Sequence, residues 1–152
     1  MPARIAFVTY ETPFAPAGGV AAVMGRLPAQ VGLAAGLHAA IFTPFHYRIT
    51  RTAALAEQLE LVGSLSMPYQ ASRVSVNVLK LERGGTWYFI APADQRFFAG
   101  NRHPYDVPPD PDDPMPSLLR DALFFGAAVA RAQERGYPLG VSTKIARSIP
   151  EV

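Results

Sequence analysis

The first 44 residues set the strongest constraint on how this chain can fold. Ile5 to Thr9 form a short apolar, partly β-branched run, the pattern of a strand covered on both faces. A turn-rich stretch, ETPFAPAGG (residues 11–19), follows it. Val20, Val23, Met24, Leu27 and Val31 then recur at spacings of three and four, as on one face of a helix. Pro28 falls inside that pattern and predicts a kink, because its ring displaces the preceding turn and it donates no N–H. Gly36 is placed to close the helix as a left-handed cap, and HAAIFTP, residues 38–44, reads as the second strand. Strand, loop, helix and strand in this order make a βαβ unit, right-handed in about 98% of cases. The Gly18-Gly19 loop then lies at the carboxyl end of the first strand, where open α/β sheets bind ligands.

The middle of the chain changes period. Residues 53–61 predict a short helix. In SRVSVNVLKLERGGTWYFIAP, residues 72–92, Val74, Val76 and Val78 alternate with Ser75, Asn77 and Leu79, and Gly84-Gly85 separates two such runs, a hairpin signal. Residues 101–116 hold six prolines and four aspartates and predict a loop. Ser117 is placed to cap a helix running to about Arg135, with Leu118, Ala122, Phe125 and Val129 on its buried stripe and Gly136 and Pro138 stopping it. The final LGVSTKIARSIPEV reads as a last strand or a tail, and there is no internal repeat. The whole chain is expected to be one domain, residues 1–152, with its core in 3–136 and a tail from 137.

Composition removes several classes of function. At 152 residues, 49% hydrophobic and 17% charged, the chain has the material for a single packed core rather than for disorder. Fourteen basic residues against twelve acidic ones, without a basic run, give no electrostatic footprint for nucleic acid. No cysteine is present, so disulfides, thiolate catalysis and cysteine-ligated zinc are excluded. The N-terminal apolar run is too short for a signal peptide, and no stretch approaches the roughly 18 apolar residues of a membrane span. A cytoplasmic protein without membrane contact is expected.

Each candidate site residue has a functional and a plainer reading. Gly18 and Gly19 present backbone N–H groups to a phosphate at a helix start, or they let the loop turn tightly against the sheet. Glu11 is a carboxylate for sugar hydroxyls, or a solvated loop acid. His46 and Tyr47, just past the second strand, lie on the ligand side of the sheet. His38, His46 and His103 lack metal-ligand spacing, and Asp106, Asp110, Asp112 and Asp113 lack the glycine and terminal glutamate of a calcium loop, so no metal and no cofactor is expected. The aspartates read as a solvated, proline-stiffened loop. Trp87 and Phe89 share one strand face and read as core rather than as a sugar platform.

The order of these features resembles the N-terminal part of bacterial glycogen synthases and plant starch synthases. The resemblance is carried by ETPFAPAGGVAAVMGRLP, GLHAAIFTPFHY, the hairpin ending in WYFIAP, RFFAGNRHPY and the Phe/Ala-rich helix, and it runs to about Arg135. It implies an α/β fold, a Rossmann-like and mostly parallel sheet flanked by helices with a β-hairpin insertion, forming half of a GT-B glycosyltransferase. The family activity it implies is retaining transfer of glucose from ADP-glucose to an α-1,4-glucan. Glu11, Gly18, Gly19, His46 and Tyr47 become the substrate-binding candidates.

The departures bear on chemistry. The family loop has lysine and threonine directly before Gly-Gly, where this chain has Pro16 and Ala17, and an aspartate where it has Ala22. Losing a charge-assisted contact to phosphate costs about 1.5–3 kcal/mol, tenfold or more in affinity. Neither the family's His-x-x-Asp-Trp catalytic segment nor its donor-holding second domain is recognisable, so no residue here is assigned a catalytic role and the domain is expected to be inactive alone. The alternatives are a noncatalytic glucan-binding module and a self-associating interaction domain. The expected partners are an α-glucan or nucleotide sugar, a homo-oligomer, or a second polypeptide completing the fold.

Overall fold

A computed structural model describes residues 4–50 and 53–135. The first strand, β1 (Arg4–Val8), leads through the loop at 9–18 into two short helices, α1 (Gly19–Met24) and α2 (Leu27–Ala35), and then into β2 (His38–Pro44). The single kinked helix is therefore corrected to two. Gly25 ends α1, its N–H bonded to the Ala21 carbonyl at 3.0 Å. Pro28 falls in the first turn of α2, where its missing N–H has no intrahelical acceptor to lose. The apolar stripe is only partly the buried one: Met24 is buried and Val31 half-buried, Val20, Val23 and Leu27 are exposed, and Ala21, Pro28 and Gly32 face inward in their place. Gly36 does cap α2 in the left-handed region, at φ 66°.

Two one-turn helices follow, α3 (Tyr47–Thr50) and α4 (Ala53–Ala56). The helix expected over 53–61 stops at Ala56, and a strand the sequence reading missed, β3 (Glu60–Tyr69), begins at Glu60. Next come β4 (Ser72–Glu82) and β5 (Thr86–Pro92), joined by the Gly84-Gly85 turn. The sheet order is β1-β2-β5-β4-β3, with β1, β2 and β5 parallel and β4 antiparallel to both its neighbours, β5 and β3. The hairpin is thus part of the sheet, since β5 is both its return strand and the third parallel strand. This is an open α/β sheet of Rossmann-like type.

The period-two alternation of the strands divides the core between the two faces. Ala40, Phe42, Val74, Val76, Val78, Tyr88 and Ile90 pack under the last helix, α5 (Ser117–Glu134). Ala39, Ile41, Leu81, Trp87 and Phe89 pack with Met24 and Phe14 on the other, so Trp87 and Phe89 are core, as expected. Helix α5 spans nearly the expected residues but is rotated. Ser117 is its first residue rather than its cap, and its Oγ is buried without a hydrogen-bond partner. Leu118 and Ala122 face solvent, and Arg120 and Asp121 turn inward with Phe124, Phe125, Ala128 and Val129. The helix stop at Gly136 and Pro138 and the last-strand reading lie outside the described residues.

Candidate functional site

The carboxyl ends of β1, β2 and β5 bring the predicted loop, His46 and Tyr47 to one edge of the sheet. Just past β1, the Thr9 hydroxyl donates to the Glu11 carbonyl at 2.7 Å, which folds the chain back over the strand end. That turn drives the Glu11 side chain inward, where it is 3% exposed. Its Oε2 accepts the backbone N–H of Gly18 at 2.7 Å and of Ala21 at 3.1 Å, and its Oε1 accepts the Tyr105 hydroxyl at 3.1 Å. Burial pushes the carboxyl pKa up, but the backbone N–H groups and the Tyr105 hydroxyl outweigh it and hold the group below its ordinary value. Glu11 is not a solvated acid: it is the internal anion at the start of α1.

Gly18 and Gly19 are exposed, and a Cβ built on either meets nothing within 4 Å. The tight-turn reading therefore has no steric basis here. Gly18 has φ −166°, extended backbone open to any residue. A depression of about 890 Å³ lies over this loop, lined by Pro13, Pro16, Gly18, Ala21 and, from beyond α1, Arg26. Arg26 is the one basic residue in that lining.

His46 is fully buried. Its Nε2 lies 2.7 Å from the Tyr10 carbonyl, the Tyr10 ring stands edge-on to it at 4.9 Å, and its Nδ1 has no partner. Burial lowers its pKa to about 4 against the opposing pull of the Tyr10 carbonyl, so it is neutral at pH 7. Tyr47 is 44% exposed and its N–H donates to the Phe98 carbonyl at 2.9 Å. Beside it a cleft of about 730 Å³ opens, lined among others by Phe45, Tyr47, Asn77, Gln95, Phe98 and Asn101. The five predicted residues thus divide: Gly18 lines the loop depression with Gly19 exposed beside it, Tyr47 lines the cleft, and Glu11 and His46 lie buried. They are linked by Tyr105, which binds Glu11 and stacks on Tyr10 at 5.6 Å.

Tyr105, Gln95, Phe98 and Asn101 escaped the sequence reading because they sit in irregular chain that periodicity does not address. The aspartate-bearing segment is a loop, as expected, and Asp112 is exposed, but the other three aspartates are engaged rather than simply solvated. Asp110 binds Arg120 at 3.1 Å, Asp106 binds Arg102 at 2.9 Å, and Asp113 accepts the Tyr69 hydroxyl. Among the described residues no group of three or more His, Asp or Glu could hold a metal, and no helix is long and apolar enough to cross a membrane.

An open α/β sheet with two clefts at its carboxyl edge, one lined by aromatic residues and carboxamides, defines a domain of Rossmann-like type. The family model described as the starch synthase catalytic domain matches residues 4–144, and the chain belongs to that family. It is a glycosyltransferase-like domain. No curated protein matches the chain.

Proposed function

We propose that this domain is the acceptor-side, N-terminal half of a retaining glucosyltransferase, that it binds an α-1,4-glucan in the cleft beside Tyr47, and that it does not turn over ADP-glucose by itself. The observation that carries the reading is the lining of that cleft: the half-buried Phe45 and exposed Tyr47 beside the amides of Asn77, Gln95 and Asn101. Sugar rings stack their C–H faces on aromatic side chains, and their hydroxyls exchange hydrogen bonds with carboxamides. Tyr47 makes the sugar contact, Gly18, with Gly19 exposed beside it, lines the neighbouring depression, and Glu11 and His46 hold the two loops from below. Donor phosphate gains little here, because Glu11 already takes the N–H groups of Gly18 and Ala21 and Pro16 and Ala17 bring no charge. The donor then depends on the second domain of a GT-B enzyme, in the reducing cytoplasm.

An amide NMR titration with maltoheptaose, followed by ADP-glucose in the same sample, tests this reading. Saturable shifts at Tyr47 and Asn101 with the glucan, weak shifts at Gly18 with the nucleotide sugar and no glucose transfer are expected. A well-dispersed spectrum that the glucan leaves unmoved overturns glucan binding, and turnover by the isolated chain overturns its inactivity.

A second reading, association with another chain, rests on the sheet edges. β3 is protected by Glu60, Pro68 and an irregularity at Leu61/Gly63, whereas Ile5 to Val8 of β1 carry no charge or proline and, among the described residues, pair on one side only. The α1–α2 connection covers one face and α5 the other. The outer face of α5 adds exposed Leu118, Leu119 and Leu123. These features support a homo-oligomer or a second polypeptide completing the sheet along β1.

A further inference from the structure

Asp121 and Arg120 are consecutive charged residues on α5, and both point into the protein, 0% and 2% exposed. Arg120 uses its whole fork: Nε to Asp121 Oδ1 at 3.2 Å, Nη1 to Asp110 Oδ2 at 3.1 Å and Nη2 to the Arg96 carbonyl at 2.7 Å. Its guanidinium also lies over the Phe97 ring, 5.1 Å from the centroid. The second oxygen of Asp121 accepts the backbone N–H of Phe98 at 3.0 Å. Phe98 is held at φ 57°, a left-handed conformation uncommon for a bulky side chain, which persists only where surrounding contacts fix it. Its carbonyl in turn accepts the N–H of Tyr47 at 2.9 Å.

These contacts form one line: Arg120 fixes Asp121, Asp121 fixes the Phe98 backbone, and Phe98 fixes the first residue of α3. Phe98 and Tyr47 both line the cleft. A buried ion pair is a weak source of stability, since desolvation offsets much of its Coulomb energy, but it fixes geometry. Hydrophobic residues at 120 and 121 would pack α5 onto the sheet without fixing the Phe98 peptide. We infer that Asp121, oriented by Arg120, is a positioning residue that acts through the buried Phe98 peptide to set the glucan-contacting residue Tyr47. This rests on the glucan reading above and adds the device that tunes its affinity.

The test compares the full chain with Asp121→Ala and Asp121→Asn, measuring maltoheptaose affinity and hydrogen exchange at the Phe98 and Tyr47 amides. The asparagine carbonyl can still accept the Phe98 N–H, whereas alanine cannot. Removing that acceptor is expected to expose both amides to exchange and to weaken glucan binding about tenfold, the scale of a lost hydrogen bond to a charged acceptor. Asp121→Asn is expected to keep both amides protected and to bind within about threefold of the parent. A folded alanine variant that binds like the parent, or asparagine and alanine variants equally weakened with protection intact, overturns the inference. Should Asp121→Ala not fold, Asp121→Asn decides: tenfold weaker binding with the Tyr47 amide still protected rejects the relay. Should the parent not bind glucan, the function reading fails on its own, and the exchange at Tyr47 still reports whether Asp121 controls that residue.

Discussion

The Oε2 of Glu11 lies 2.7 Å from the backbone nitrogen of Gly18, seven residues further along the chain, so a side chain of the protein holds the loop N–H that a bound anion would otherwise take. The same oxygen accepts the N–H of Ala21, and the other oxygen accepts the Tyr105 hydroxyl from a loop 94 residues away. Glu11 therefore closes the first loop and joins it to the proline-rich one.

Replacing Glu11 by alanine leaves these donors without their charged acceptor and is expected to cost about 2–4 kcal/mol in urea denaturation. Because folding lowers the Glu11 pKa, its contribution is fully present above the ordinary value of 4.5 and is lost as pH falls through the folded value. Glu11→Gln should lose that slope below pH 4.5. An unchanged slope counts against the arrangement.

His46 predicts a second pH window of defined sign. Its pKa falls from 6.5 unfolded to about 4 folded, so the stability it gives as a neutral ring is complete above pH 6.5 and declines toward pH 4. Asp121 acts oppositely: burial lifts its carboxyl to about 6 against the pull of Arg120, and its contribution is lost as pH rises from 3.8 to 6. The parent profile is therefore flattened. The difference between parent and His46→Phe should change by about 2 kcal/mol between pH 6.5 and 5. A pH-independent difference would mean that the ring protonates freely.

Gly19→Ala separates a structural from a ligand-facing role for the loop glycines. Nothing lies within 4 Å of a Cβ there, and the position begins a helix, so thermal stability should stay within about 0.5 kcal/mol of the parent. If the depression is used by a ligand, the glucan or nucleotide-sugar shifts at Gly18 and Ala21 should shrink. A large loss of stability would show that the glycine serves the fold.

Leu119→Lys and Leu123→Glu test the outer face of α5. Both side chains are about half exposed, so the double variant should retain its unfolding free energy within about 0.5 kcal/mol per site. Sedimentation should show less self-association than the parent at high micromolar concentration. A parent that is monomeric under those conditions removes the homo-oligomer and leaves the second polypeptide.

Local pattern determined the parts of this protein that repeat. The bounds of β2, the left-handed Gly36 cap, the Gly84-Gly85 hairpin and the burial of Trp87 and Phe89 follow from period-two alternation and glycine placement. β3 was less legible: Leu65, Met67 and Tyr69 do alternate with Ser64, Ser66 and Pro68, but glycine and proline are poor strand residues and pairing with β4 is what makes the segment a strand. The outward turn of Leu118 and the inward turn of Arg120 and Asp121 contradict any hydropathy reading. They become intelligible once Phe98 and Asp110 lie beside them as partners.

The sequence by itself determined an α/β chain with a glycine loop at the end of its first strand, because strand and helix periods are properties of neighbouring residues. It also determined that the loop has no lysine beside its glycines. Only the tertiary structure decided what occupies that loop and what borders it: Glu11 beneath, Arg26 across the depression, and Tyr105 reaching in from the proline-rich segment. A carboxylate has the same identity in a solvated loop and in a buried cap, and the donors that distinguish the two come from residues that only folding brings within 3.1 Å.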